Sequence, residues 1–424
     1  MEDSHFPKSR WYIFFVVAFA WFTFGALFIS FAPLLGTISK EFGREVGSLM
    51  AVTIALCSVS LSAGMIVSGP LIDKFGARPL LLAAACLMTL YCILVALFGH
   101  SVSAVVALRL LLGISSGPIF ACMAACSEQW FPPHEQGAFN GAGTASMAVG
   151  FAVSFVTIPI LLQRFNDDWR KVIGISAIIP ATGILLCLLA LLAKQPRPAG
   201  LSASPGEVSG GEFRIALKLP VFWLGAFLIV VASATVQTFN ALAPSYLTAA
   251  RPFGLAYGPV ASGRCMSLVQ IGTIVGGISL GPIMQKLFKG SARVMCILGA
   301  VLCGVMIISI LFPAIYDSIV VISLLFFLAG MFNSYIVPAI SVYIAANYPP
   351  QILGKVFATS MGIASITGAF FVAAAGILLD KAHSFSAPFF LLLILGIAGG
   401  IFGTQLRPIS SYIFRRVREL EEVF

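Results

Sequence analysis

Along this chain, long unbroken runs of apolar residues alternate with short polar junctions. Each run reaches roughly 20 residues, enough for a helix to cross a hydrocarbon core of about 30 Å. Continuous rather than alternating hydrophobicity argues against a membrane barrel, whose strands alternate apolar and polar positions. The pattern predicts twelve spans, at residues 11–34, 47–71, 79–98, 103–126, 139–162, 171–193, 219–246, 261–285, 293–314, 318–345, 355–378 and 386–406. A secretory signal has an apolar core of only about 7–15 residues, so the first run is read as a retained span. The reading is an all-α polytopic membrane protein.

The longest interior polar stretch, KQPRPAGLSASPGEVSGGEFRIALKLP at residues 194–220, is rich in Gly, Ser and Pro. Such composition makes a flexible linker, and it divides the spans six and six. The predicted organisation is an N-terminal half at 1–193, a cytoplasmic linker at 194–218, a C-terminal half at 219–406 and a cytoplasmic tail at 407–424. The halves repeat one another. GPLIDK at 69–74 answers GPIMQK at 281–286 with an offset of 212, and FPPHEQG at 131–137 answers YPPQILG at 348–354 with an offset of 217. Gly113 and Gly330 share the second offset. Parallel six-helix halves related by an axis along the membrane normal are one known transporter plan.

Composition agrees and charge adds an orientation. The chain is 59% hydrophobic and 10% charged, against about a quarter charged in soluble domains. Its net charge of +9 is distributed unevenly. With the N-terminus inside, sixteen Lys and Arg fall on inner loops and tails against eight on outer ones, the asymmetry that orients membrane proteins. The basic balance is therefore an address and not a nucleic-acid surface. The C-terminal RRVRELEEVF is read as an amphipathic segment on anionic lipid. The nine cysteines lie within or at the edges of apolar runs, so no disulfide framework is expected. Cys122 and Cys126 share a helix face, and packing is preferred over metal ligation. No metal constellation, phosphate loop or nucleophile triad suggests an enzyme, and no cofactor is expected.

The junction GPLIDKFGAR resembles the signature between the second and third helices of the major facilitator superfamily of secondary transporters, G-x-x-x-D-[RK]-x-G-[RK]-[RK]. Gly69, Asp73, Lys74, Gly76 and Arg78 match it, and Ala77 replaces one basic residue. Arg109 and Gly113 in RLLLGISSG match the family's helix-4 Arg and Gly, and WFPPHEQGAFNG resembles a fifth-helix start of organic-anion members. The first span, FTFGALFISFAPLLGTISKEFG, is similar to the oxalate/formate and monocarboxylate branch. The oxalate-type Lys of helix 11, the nitrate-type Gly-Asn-rich signatures and the Gly-Pro antiport motif of helix 5 are absent. The resemblance implies the major facilitator fold, twelve transmembrane helices in two pseudo-symmetric halves, working by alternating access. It also implies that Asp73 latches against the positive N-terminal end of helix 11 near Gly354, with a weaker, uncharged counterpart at Gln285. Gly69 is expected to permit close helix approach, while Lys74 and Arg78 hold the loop inside.

Polar groups retained at mid-depth are the default functional candidates in a membrane protein. Ser115 and Ser116 in span 4, Gln237 and Asn240 in span 7, Gln270 and Thr273 in span 8, and Asn333, Ser334 and Tyr335 in span 10 qualify. The resemblance places spans 1, 4, 7 and 10 around the cavity. Arg109 is the one charge well inside a span, and Arg264 lies near the outer end of span 8. Each has two open readings: a structural bond or interfacial anchor, and a cation for an anionic substrate. The expected substrate-binding set is Arg109, Ser116, Gln237, Asn240, Arg264, Gln270, Asn333 and Tyr335. No carboxylate lies comparably deep, which disfavours a cationic substrate. The expectation is a monomeric secondary active transporter of a small carboxylate in a bacterial inner membrane, with lipid around it and a coupling proton or counter-anion. A carrier of neutral or zwitterionic metabolites, or a receptor that no longer transports, remain the alternatives.

Overall fold

A computed structural model describes residue 7 and residues 9–192, 210–348 and 350–406. The tail at 407–424 and most of the predicted linker, 194–209, lie outside the described residues. Among the described residues, twelve helices are long and apolar enough to cross a membrane. They are α1 (Arg10–Phe42), α2 (Val46–Phe75), α3 (Ala77–Phe98), α4 (Val102–Trp130), α5 (His134–Arg164) and α6 (Trp169–Leu192). Then follow α7 (Pro220–Thr248), α8 (Pro259–Phe288), α9 (Ala292–Ser309), α10 (Ile319–Asn347), α11 (Lys355–Ala382) and α12 (Ser386–Gly403). Most run a few residues past the predicted apolar limits, because polar turns such as Ser39–Phe42 continue a helix whose backbone bonds are already propagating. Span 9 is shorter than predicted: α9 ends at Ser309, and a separate short helix begins at Pro313.

Prolines set the irregularities. A proline lacks the N–H that would bond the carbonyl four residues earlier. In α1, helix stops at Ile29, four residues before Pro33, and resumes after a 3₁₀ turn at Ala32–Leu34. In α10, the first segment ends at Asn333 and the second starts at Ile336, with Pro338 four residues beyond Ser334. In α2, a π-helical turn occupies Ala51–Ala55 without any proline. Prolines inside α4 (Pro118) and α5 (Pro159) leave those helices continuous, and the carbonyls they strand are covered by glycines. A Cβ at Gly64 of α2 would press on the Ile114 carbonyl, and one at Gly263 of α8 would meet the Phe155 carbonyl. Close helix approach over small residues is how membrane helices associate without a hydrophobic drive between them.

Two compact units emerge, each built from several chain segments. The first takes Met1–Gly200, Thr238–Ile271 and Ala369–Pro388; the second takes Leu201–Gln237, Gly272–Gly368 and Phe389–Phe424. The first unit thus holds α1–α6 together with the end of α7, the start of α8 and the end of α11. Within it, α2 and α4 meet at Gly64, Gly113 and Gly117, where an added Cβ would strike the facing backbone in every case. Large side chains on the perimeter, among them Ile66, Leu97, Ile178 and Leu192, are exposed, as expected of residues that face lipid.

Candidate functional site

Among the described residues, Arg109 is the only charged side chain that is fully buried. Its Nε donates to the Thr53 carbonyl at 3.0 Å, Nη1 to Leu27 at 3.4 Å and Nη2 to Phe28 at 2.9 Å. Leu27 and Phe28 stand just before the break in α1, and Thr53 belongs to the π turn of α2. Those are the places where a helix leaves carbonyls short of their usual partners. One guanidinium therefore joins two irregular stretches of backbone through three carbonyls, and the Phe31 ring lies 4.7 Å from its Cζ. Among the described residues no Asp or Glu is buried, so no buried acid there neutralises it. At the 217-residue offset, the other half carries Phe326, which is likewise buried.

The remaining predicted residues of the first unit divide into three kinds. Ser115 and Ser116 both turn back on their own helix, bonding the Leu112 carbonyl at 2.9 and 2.7 Å. Asn240 and Gln270 come together: Gln270 Nε2 donates to Asn240 Oδ1 at 3.1 Å, and both side chains are buried. Arg264 is exposed and makes no ion pair among the described residues.

In the second unit, the break in α10 faces α8. Gly272 and Gly276 bring the helices close, against the Phe327 and Met331 carbonyls. Thr273 Oγ1 donates to the Gly330 carbonyl at 3.5 Å, and the Tyr335 hydroxyl lies 3.3 Å from Ser279 Oγ. Ser334 returns to the Met331 carbonyl at 2.8 Å. Asn333 Oδ1 is buried with no hydrogen-bond partner among the described residues, a costly position for an acceptor. Gln237 donates to Ser233 Oγ at 2.7 Å, and Gly368 leaves room for its amide.

The α2–α3 junction has local causes for each of its residues. Gly76 closes α2 with φ of 83°, a conformation that a side chain disfavours. Arg78 donates to the Ala190 carbonyl at the end of α6 at 3.0 Å and lies beside the Trp130 ring. Lys74 and Asp73 are exposed, and Asp73 has no ion pair among the described residues. Gly69 has open space where a side chain would extend; the close approach of α2 falls at Gly64 instead. Cys122 is packed away, its thiol 3.3 Å from the Ala77 carbonyl.

Two polar clusters went unnoticed in the sequence. Glu41 at the end of α1 accepts from Trp169 Nε1 and Arg170 Nη2, both at 2.6 Å, and Arg170 also reaches the Gly99 carbonyl at 2.7 Å. Asp380 at the end of α11 accepts from the Gly47 N–H at 2.8 Å and from Ser48 Oγ at 2.5 Å. Both acids sit at helix ends, where sequence alone offers only an ordinary solvated charge.

Among the described residues, twelve apolar helices, with breaks in α1 and α10 and a single buried cation, define a polytopic helical membrane protein. The chain belongs to the Major Facilitator Superfamily, which matches residues 11–326. It is 26% identical over 258 residues to a "Probable nitrate/nitrite transporter" of Mycobacterium tuberculosis, spanning 60% of each chain. It is 23% identical over 401 residues to a "Probable sulfoacetate transporter" of Cupriavidus necator, spanning 90% of each. A crystal structure of a D-xylose–proton symporter superposes with a TM-score of 0.77 at 14% identity, over 94% of this chain and 99% of that one. That likeness bears on fold alone.

Proposed function

We propose that the protein is a secondary active transporter for a small organic anion, with a carboxylate as the first choice, moved by alternating access between two six-helix halves. The observation that carries the anionic part is the charge balance of the interior. Arg109 places one full positive charge among the buried residues, and among the described residues no buried carboxylate opposes it. Backbone carbonyls orient the guanidinium without cancelling its charge, so the interior favours an anion over a cation. The names of the two relatives, a nitrate/nitrite and a sulfoacetate transporter, are both of anion carriers and support the same direction. The exposed Arg264 is the second cation in this reading, receiving the substrate before it reaches the interior. With the positive-inside orientation, both termini are cytoplasmic and the membrane is a bacterial inner membrane.

A second reading, a neutral or zwitterionic solute, draws on uncharged groups: the Asn240–Gln270 pair and the unpartnered Asn333 acceptor. A thermal-shift panel of mono- and dicarboxylates, amino acids and nucleosides separates the two, since a ligand bound only by the native state raises its apparent stability. Counterflow in proteoliposomes then tests transport of whichever class binds. Arg264→Gln is expected to lower carboxylate uptake about tenfold, roughly the 1.4 kcal/mol of one charge-assisted contact. Normal carboxylate flux in this variant, or stabilisation by neutral solutes alone, overturns the anion assignment.

A further inference from the structure

The end of α11 supplies a carboxylate to the start of α2. The first-turn N–H groups of a helix have no partner within it, and Glu45, which precedes α2, does not cap it with its own side chain. Asp380 fills that role from a different helix, accepting from the Gly47 N–H at 2.8 Å and from the Ser48 hydroxyl at 2.5 Å. A negative group here also meets the positive end of the α2 dipole. Beneath it the backbones touch: a Cβ at Gly47 would strike the Gly376 carbonyl, and one at Gly376 would strike that of Gly47. Small residues thus bring the two helix ends into contact, and the carboxylate holds them there.

The doubled sequence shows that this arrangement is one-sided. At the 217-residue offset relating α5 to α11, Asp380 corresponds to Gln163, and at the 212-residue offset Gly47 corresponds to Pro259, which has no N–H to offer. The equivalent pair, α5 and α8, keeps the close backbone contact through Gly263 and Phe155 but lacks both halves of the cap. Asp73 and Gln285 repeat the same asymmetry at the opposite ends of α2 and α8.

We propose that Asp380 is a charge latch that closes the face carrying the α1–α2 and α11–α12 connections, by capping α2 in trans, and that it must release for that face to open. The inference rests on the alternating-access reading, but its test is independent of any substrate. Spin labels at Arg44→Cys and Lys381→Cys, with the exposed Cys86 changed to Ser, report the separation of the two helix ends in lipid nanodiscs. In this background the short distance dominates. Asp380→Asn and Asp380→Ala are each expected to lower the ratio of short to long distances about tenfold, as loss of a charged cap implies. Ser48→Ala, which keeps the carboxylate and alters only an exposed hydroxyl, shifts the ratio the same way by about threefold. Distance distributions unchanged in the Asp380 variants, with monodisperse protein of unaltered apparent Tm, overturn the latch. A misfolded Asp380 variant transfers the decision to Ser48→Ala, where an unchanged distribution overturns it as well. Absence of flux with the distance shift intact rejects the transport reading and leaves the latch standing.

Discussion

Arg109 shows how a residue with two open readings is decided by its surroundings. A lone Arg inside an apolar run offers either a substrate cation or a structural clamp, and sequence cannot rank them. Its donors reach the carbonyls of Leu27, Phe28 and Thr53, so the clamp is real, while the charge itself stays uncompensated. The clamp is what the bonds show; the charge is what the proposed anion reading draws on. Arg109→Gln cannot span three acceptors, and an unsatisfied buried group costs about 1–3 kcal/mol. The expected outcome is an apparent Tm in detergent lowered by several degrees, scored at fixed scan rate because such unfolding is irreversible. An unchanged Tm means that the breaks in α1 and α2 need no clamp. Arg109→Lys separates charge from geometry: it keeps the charge but loses the planar fork, so it should show the same fall in Tm with a smaller effect on anion binding.

Among the elements, the glycines of α2 and α4 matter more than the polar residues beside them. Gly113 was legible as a family-like position and as half of a repeat, but its physical role appears only in the packing. A Cβ there would meet Ser60 Oγ, the Cys57 carbonyl and the Leu61 amide nitrogen, all on α2. Backbone cannot step aside as a side chain can, so Gly113→Ala should destabilise by about 1–3 kcal/mol, the range for overpacking. Reduced yield of folded protein in a detergent-solubilised chromatography assay, against an unaffected Gly137→Ala control in open space, tests this. Helix breaks were partly readable too. Pro33 and Pro338 mark the interruptions in α1 and α10, but Pro118 and Pro159 interrupt nothing. Pro70 and Pro282 also lie inside continuous helices, so the presence of a proline does not by itself mark a break.

For the whole molecule, the latches connect structure to the proposed cycle. Asp73 is exposed and without an ion pair among the described residues, at the end of α2 opposite the Asp380 cap. If each carboxylate holds one face in turn, Asp73→Asn should slow turnover several-fold in counterflow while changing stability by no more than about 0.5 kcal/mol, the usual range for an exposed substitution. Equal turnover in wild type and variant removes Asp73 from the cycle. The sequence by itself determined the solvent, the helix count and the doubling, because each follows from hydrophobic run length or repeated motifs, which are properties of neighbouring residues; the family was legible as a resemblance of short motifs, and the family match bears it out. The residues grouped around a site were a different matter. Asn240 and Gln270 are 30 positions apart and Gly47 and Asp380 are 333 apart; their meeting depends on which helices adjoin and at what depth. Only the tertiary structure decided that Gly64 rather than Gly69 carries the close approach of α2, that Ser115 and Ser116 are spent on their own helix, and that a carboxylate at the end of α11 completes the start of α2. Hydrogen bonds and steric contacts act over a few ångströms in space, and chain position does not measure that distance.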